Sequence, residues 1–277
     1  MTYAKTVDDF AALATVKARA SRADPVGFLI ASLMAGAYVG IGIILIFSVG
    51  QTVDPGYRSL VMGASFGIAL TLVIFAGSEL FTGHTMYMTL GVLRRTIGLG
   101  DLGRCWAMTW VGNLIGSALL AALFVAGGGG AILKEGADLV FKVSAYKMHS
   151  TPVELVARAI LCNWLVCLAI WTSARTTNDA AKCILIFWCL FAFIASGFEH
   201  SVANMTLFAV ALLGPHPEEV TYGGMVYNLF WVSIGNAISG AVFVAAGYWG
   251  ASSFPEKKIP TPPAGVTPEV IKSTDQA

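Results

Sequence analysis

The chain has 277 residues, 56% of them hydrophobic and only 12% charged, with a mean hydropathy of +0.73. A soluble domain carries about a quarter charged residues, so half that, gathered between long apolar runs, excludes a water-soluble enzyme and makes lipid the solvent. A net charge of +1 with no basic cluster likewise excludes a nucleic-acid partner.

In chain order, residues 1–24 lack the apolar core of a cleavable signal. Thr6-Val7-Asp8-Asp9 has the pattern of a helix start, with Thr6 capping and Asp9 reaching back. Phe10, Leu13 and Ala14 then share a face, which predicts an amphipathic helix on the membrane surface. Residues 26–49 make a first span, since a bilayer core takes about 20 apolar residues as helix. Residues 59–93 are too long for one span and too short for two. Their centre reads GSELFTGHT (77–85), the only charge in the stretch being Glu79.

Residues 105–126 and 153–173 fit single spans, the first ending at a glycine run that no Gly-Lys-Ser/Thr follows, so it is not a phosphate loop. Residues 182–217 repeat the overlong pattern, broken centrally by SGFEHSVAN (196–204), and 222–248 make the last span. One crossing with an unwound middle accounts for each overlong stretch. The result is an all-α membrane protein with six transmembrane helices, two of them broken. Three regions follow: an amphipathic helix at 1–24, a six-helix transmembrane domain at 25–250 and a proline-rich, disordered tail at 251–277. The five cysteines contain no Cys-x-x-Cys pair and read as small buried hydrophobes, so neither cofactor nor metal is expected.

Sorted by side, twelve Lys and Arg fall with the two termini and five fall opposite. Positive charge stays inside, which predicts cytoplasmic termini. The two halves also resemble each other. DPVGFLIA (24–31) answers TPVELVAR (151–158), GSELFTGHTM (77–86) answers GFEHSVANM (197–205), and WVGNLIGSALLAALFVA (110–126) answers WVSIGNAISGAVFVAAG (231–247). Gly112-Asn113 corresponds to Gly235-Asn236 within the last pair. Three crossings per half is an odd number, so the second copy enters the membrane upside down. Inverted repeats place the substrate path between the halves, where paired broken helices meet.

A charge at the bilayer centre costs roughly 2.5–3.5 kcal/mol on insertion scales, and freed backbone groups there must line a cavity or be buried in protein. Glu79 and Glu199 are candidates to hold such groups, and Thr82 and His200 to donate to a passing anion. Phe66, Leu70 and Val73 recur on one helical face, as do Asn163, Val166 and Ile170.

GSELFTGHTM, CNWLVCLAIW (162–171) and SGFEHSVANMT (196–206) resemble the signatures of the formate–nitrite transporter family, over essentially residues 25–250. Gly83-His84 after Phe81-Thr82 resembles the nitrite branch. The resemblance implies an aquaporin-like six-helix protomer, an inverted 3+3 repeat, assembled as a homopentamer in the bacterial inner membrane. Each protomer would conduct a small monovalent anion, nitrite before formate, together with protons. It places Thr82 on the loop that breaks the second helix and His200 at the pore centre, supported by Glu199 and Asn163. Lys147 resembles the basic residue that draws anions in. Phe66 and Phe193 resemble an outer constriction, and Leu70, Leu80, Phe81 and Val166 an inner one. At low external pH, a proton passing from His200 would let the anion leave as its neutral acid, ring and anion titrating as one unit. Gly36, Gly40, Gly112, Gly116, Gly235 and Gly240 would supply the close helix approaches of the assembly.

Two alternatives stand beside this reading. A neutral-solute channel of aquaporin type needs two Asn-Pro-Ala turns, and neither broken segment contains proline. A membrane subunit of a redox enzyme would use His84 and His200 as axial haem ligands. Those histidines flank helix breaks, where haem bundles use intact helices.

Overall fold

The computed structural model describes residues 3–253, and every regular element among them is helical. The rest of the predicted disordered tail lies outside the described residues. Helix α1 (Tyr3–Ala23) precedes the first crossing, α2 (Pro25–Thr52). A turn of 3₁₀ helix (Pro55–Tyr57) leads into α3 (Arg58–Ser65), α4 (Ile68–Phe75) and, after a gap, α5 (Phe81–Leu93). The third crossing is α6 (Leu99–Ala126). A short helix, α7 (Leu139–His149), opens the second half, followed by α8 (Pro152–Ser173). The second interrupted crossing is α9 (Asp179–Ala195) with α10 (Ser201–Leu213). The last runs through α11 (Tyr222–Ile238), a π-helical segment (Ser239–Ala246) and α12 (Gly247–Ser253).

The starts of α2 and α8 show how sequence sets the frame. Asp24 accepts the Gly27 N–H at 2.8 Å with Pro25 at the first helical position. Thr151 and Glu154 form a reciprocal capping box around Pro152. Proline's missing N–H costs nothing there, and the caps satisfy donors the helix leaves free.

The two gaps match. Each is five residues long, 76–80 and 196–200, and each is followed by a helix of 13 residues. Each contains one glycine in the left-handed region, Gly77 at φ 76° and Gly197 at φ 69°. A side chain there costs roughly 1–2 kcal/mol, so glycine ends the helix cheaply. The first crossing of this kind also bends at Phe66-Gly67, between α3 and α4.

Two expectations change. Helix α1 begins at Tyr3, so Thr6 is no cap: it is buried and accepts from Arg175 at 2.8 Å, while Asp9 pairs with Lys5 one turn back. Nor does α1 merely rest on lipid. Val7, Phe10, Ala14 and Ala18 are buried, with the Phe10 ring stacked against Tyr87 and Trp171. The amphipathic stripe was real, but its partner is the bundle.

The glycines act inside one protomer rather than between protomers. A Cβ on Gly36 would lie 2.1 Å from the Asn113 carbonyl oxygen, and one on Gly116 would lie 1.9 Å from that of Leu33. Helices α2 and α6 therefore touch backbone to backbone, the approach that small residues permit in membranes. Outward faces carry Ile30, Leu119, Trp188 and Phe230, more than a third exposed, as a surface in lipid requires. Gly116→Ala should force α2 and α6 apart and lower the melting temperature of the detergent-solubilised protein by several degrees. Gly100→Ala, where no atom lies within 4 Å, should leave it within a degree or so.

Candidate functional site: a central histidine between two broken helices

An unwound crossing exposes backbone N–H and C=O groups at a depth without water, and each must find a partner. Asn113 on α6 spans the first gap. Its amide donates to the Ser32 and Glu79 carbonyls at 2.7 and 3.0 Å, and its oxygen accepts the Phe81 N–H at 2.9 Å. Asn236 on α11 does the same for the second gap. It donates to Ala159 and Glu199 carbonyls at 2.9 and 3.1 Å and accepts the Ser201 N–H at 2.9 Å. The Glu79 and Glu199 N–H groups close onto Ala31 and Arg158 carbonyls. The asparagines are 123 residues apart, two more than the register of the Trp110 and Trp231 segments around them. Sequence comparison had paired them without finding their task.

The glutamates hold charge rather than loosened amides. Glu199, 1% exposed, takes Lys147 Nζ at 2.8 Å and the Asn204 amide at 2.6 Å. Asn204 also donates to Asn228, which donates to the Lys147 carbonyl, closing a ring of partners. Glu79 pairs with Lys17 of α1 and with His84 Nε2 at 2.8 Å. Lys17, Asn204 and Asn228 escaped the sequence reading, which named His84 only as a mark of the nitrite branch and as a candidate haem ligand.

His200 caps α10: its Nδ1 accepts the Ala203 N–H at 3.1 Å. An accepting nitrogen carries no hydrogen, so the single proton of the neutral ring sits on Nε2. That nitrogen donates to Thr82 Oγ1 at 3.1 Å, joining the two halves across the gap. Thr82 lies in the first turn of α5, not on the loop as expected, because the helix resumes at Phe81.

Direct support for the ring also differs. Glu199 turns towards Lys147, since neighbours on an extended strand of chain point opposite ways. Asn163 on α8 reaches Thr82 and Asn236 carbonyls and Thr85 Oγ1, so it braces the threonine side.

Lys147, Phe193, His200 and Asn204 line a cavity of about 140 Å³. Beyond it, Phe66, Leu70, Leu80, Val166 and Phe193 enclose about 10 Å³ against the same histidine, room for about one water. The Phe66 and Phe193 rings meet edge to face at 5.5 Å, and Phe193 stacks on His200 at 6.0 Å. Five of the six predicted constriction residues thus surround one small chamber, apolar but for His200. Phe81 does not: its ring turns to Trp106.

Two matched broken crossings and a buried polar contact beside an apolar chamber mark a multi-pass membrane transport protein rather than an enzyme. A family profile described as formate/nitrite transporter matches residues 4–250, and the chain belongs to that family. It is 53% identical to the nitrite transporter NirC of Escherichia coli (strain K12) over 90% of this chain and 92% of that protein. A solved structure described as an FNT family ion channel aligns with a TM-score of 0.87 at 53% identity, covering 89% of this chain and 98% of the other. A pentameric formate channel with formate bound aligns at 0.69 and 27% identity, covering 83% and 98%. The haem-subunit alternative falls with that assignment.

The Lys147–Glu199 pair gives Lys147 a structural part beside the drawing-in of anions that the resemblance implies. Lys147→Ala strands a buried carboxylate, a loss of about 3–5 kcal/mol that screening does not repair. Lower thermal stability at every salt concentration is expected, with partial recovery in Lys147→Ala/Glu199→Gln.

Proposed function

We propose that the protein conducts nitrite, and more weakly formate, through a separate pore in each protomer of a homopentamer. It sits in the bacterial inner membrane with both termini cytoplasmic. The observation that carries this reading is that His200 borders both the wider cavity and the small chamber behind Phe193. An anion leaving the first for the second loses water, and this donor with Thr82 replaces part of that hydration. Nitrite and formate are both small, planar, monovalent oxyanions, and names among the relatives span both. Nitrite comes first because the NirC proteins are the more similar.

The pore residues are His200, Thr82, Glu199, Asn163 and Lys147, with Phe66 and Phe193 as the outer ring and Leu70, Leu80 and Val166 as the inner. The cap adds a condition to proton-linked passage. A neutral ring that gave up its Nε2 hydrogen would be an imidazolate, so a transferable proton must first load Nδ1. Loading Nδ1 breaks its bond from the Ala203 N–H, so charging the ring and loosening the first turn of α10 are one event. Lipid surrounds the outward faces, and no other cofactor is invoked.

Nitrite flux into proteoliposomes at several external pH values tests this. Wild type should carry nitrite faster as external pH falls, the direction in which an imidazole gains its second proton. His200→Asn, which keeps a helix cap, should remain pentameric by native mass measurement yet lose that pH response. An unchanged profile would reduce His200 to a cap.

A further inference from the structure

The two halves build the same three-residue constellation, but with one substitution. In each, a glutamate in the helix gap meets a lysine from the helix preceding that half: Lys147 of α7 for Glu199, Lys17 of α1 for Glu79. In each, the glutamate's second oxygen is held by the side chain five residues on. For Glu199 this is Asn204, an amide that always donates and never titrates. For Glu79 it is His84.

His84 is fully buried, and its ring is fixed between Phe28 at 5.8 Å and Tyr87 at 4.7 Å. Its backbone carbonyl is held by the Trp106 indole. A carboxylate only accepts, so Nε2 facing Glu79 carries a hydrogen. Nδ1 has no partner among the described residues. One site for a second proton is therefore built and unspent. The titratable groups around the ring are Glu79 in the gap, Lys17 on α1 and Tyr87 on the same helix, with the Cys105 and Cys167 thiols beyond Tyr87. Lys17 and Glu79 are the charged members. Lys17 is the more accessible, its side chain 23% exposed against 11% for Glu79.

We infer that His84 is a positioning residue for the inner mouth: a proton from the cytoplasm entering at Nδ1 makes the ring the stronger partner of Glu79 and frees the Lys17 ammonium to draw an anion in. The sign follows from charge alone. With His84 neutral, Glu79 cancels Lys17. With His84 charged, one carboxylate is shared by two cations and the mouth gains a net positive charge. The outer mouth, with Asn204 in that place, has no such response. This rests on the anion-channel reading above.

The test uses inside-out membrane vesicles carrying the full-length protein, where the bath sets cytoplasmic-face pH, with vesicles lacking the protein subtracted. Wild-type nitrite uptake from the bath should rise about three- to tenfold as bath pH falls from about 7.5 to 5.5, the scale of one partly screened charge contact. His84→Asn, which copies the other half, should flatten this rise relative to its own flux at the higher pH. It should keep its response to pH on the opposite face, which separates His84 from His200. Lys17→Met should flatten the rise as well. A rise that survives His84→Asn, or that vanishes there but survives Lys17→Met, would overturn the inference, as would a wild type without any rise. Wild-type protein that carries no nitrite or formate at all would instead sink the anion-channel reading.

Discussion

Backbone groups released at the centre of a membrane must be bonded, and two five-residue gaps in this fold depend on that rule. In water the freed N–H and C=O groups of residues 76–80 and 196–200 would be solvated. Here Asn113 and Asn236 each give both amide hydrogens and accept one N–H, three bonds from one side chain across the gap. The rest follows in sequence. The asparagine must reach the gap, so its helix must approach α2 or α8 closely, and so glycine stands at Gly112 and Gly235 beside it. The resumed helices α5 and α10 then start at fixed points, and their first turns bring Thr82 and His200 to 3.1 Å of each other. The polar contact between the two halves is a by-product of satisfying backbone.

Electrostatics occupies a second layer. Each gap carries a glutamate, and neither is left bare: a lysine arrives from a helix that precedes the half's first crossing. For α1 this connection adds to ordinary hydrophobic burial. Phe10 and Val7 leave water for the bundle, a driving force that helices already in lipid do not have. Charge pairing and apolar burial therefore act on the same helix, and α1 is an integral wall of the bundle's end.

What could be read from sequence tracks what costs energy in lipid. Glu79 and Glu199 stood out because charge amid 35 apolar residues is expensive, and Gly77 and Gly197 because they flank that charge. The repeat was legible through Asp24-Pro25 and Thr151-Pro152, since caps with proline are local chemistry. The Lys17–Glu79 pair was not, because an amphipathic stripe gives no sign of what its polar side meets 62 residues later. The bend at Phe66-Gly67 and the π-helical segment lie in uniformly apolar sequence, where no residue type marks a change of pitch. The glycines misled for a related reason: close approach within one protomer and between two draw on the same small side chains. Of the constrictions, Phe81 came from motif resemblance alone, which names a position but not the neighbour its ring meets, here Trp106.

A π-helical run carries more residues per turn than an α-helix, so it changes the direction in which everything after it points. The segment Ser239–Ala246 sits against α5, with Gly240 close to Thr85, and ends where α12 begins. Tyr248 then lies flat on Trp171 at 3.9 Å and meets Tyr3 of α1 at 5.5 Å. Were the same residues wound as plain α-helix, α12 would be rotated and Tyr248 would look elsewhere. The segment thus acts as a phase adjuster: a shift in winding beside α5 selects the azimuth at which α12 clasps α1. Helices α1 and α12 are brought together by the pitch of one helix as well as by the contacts between them.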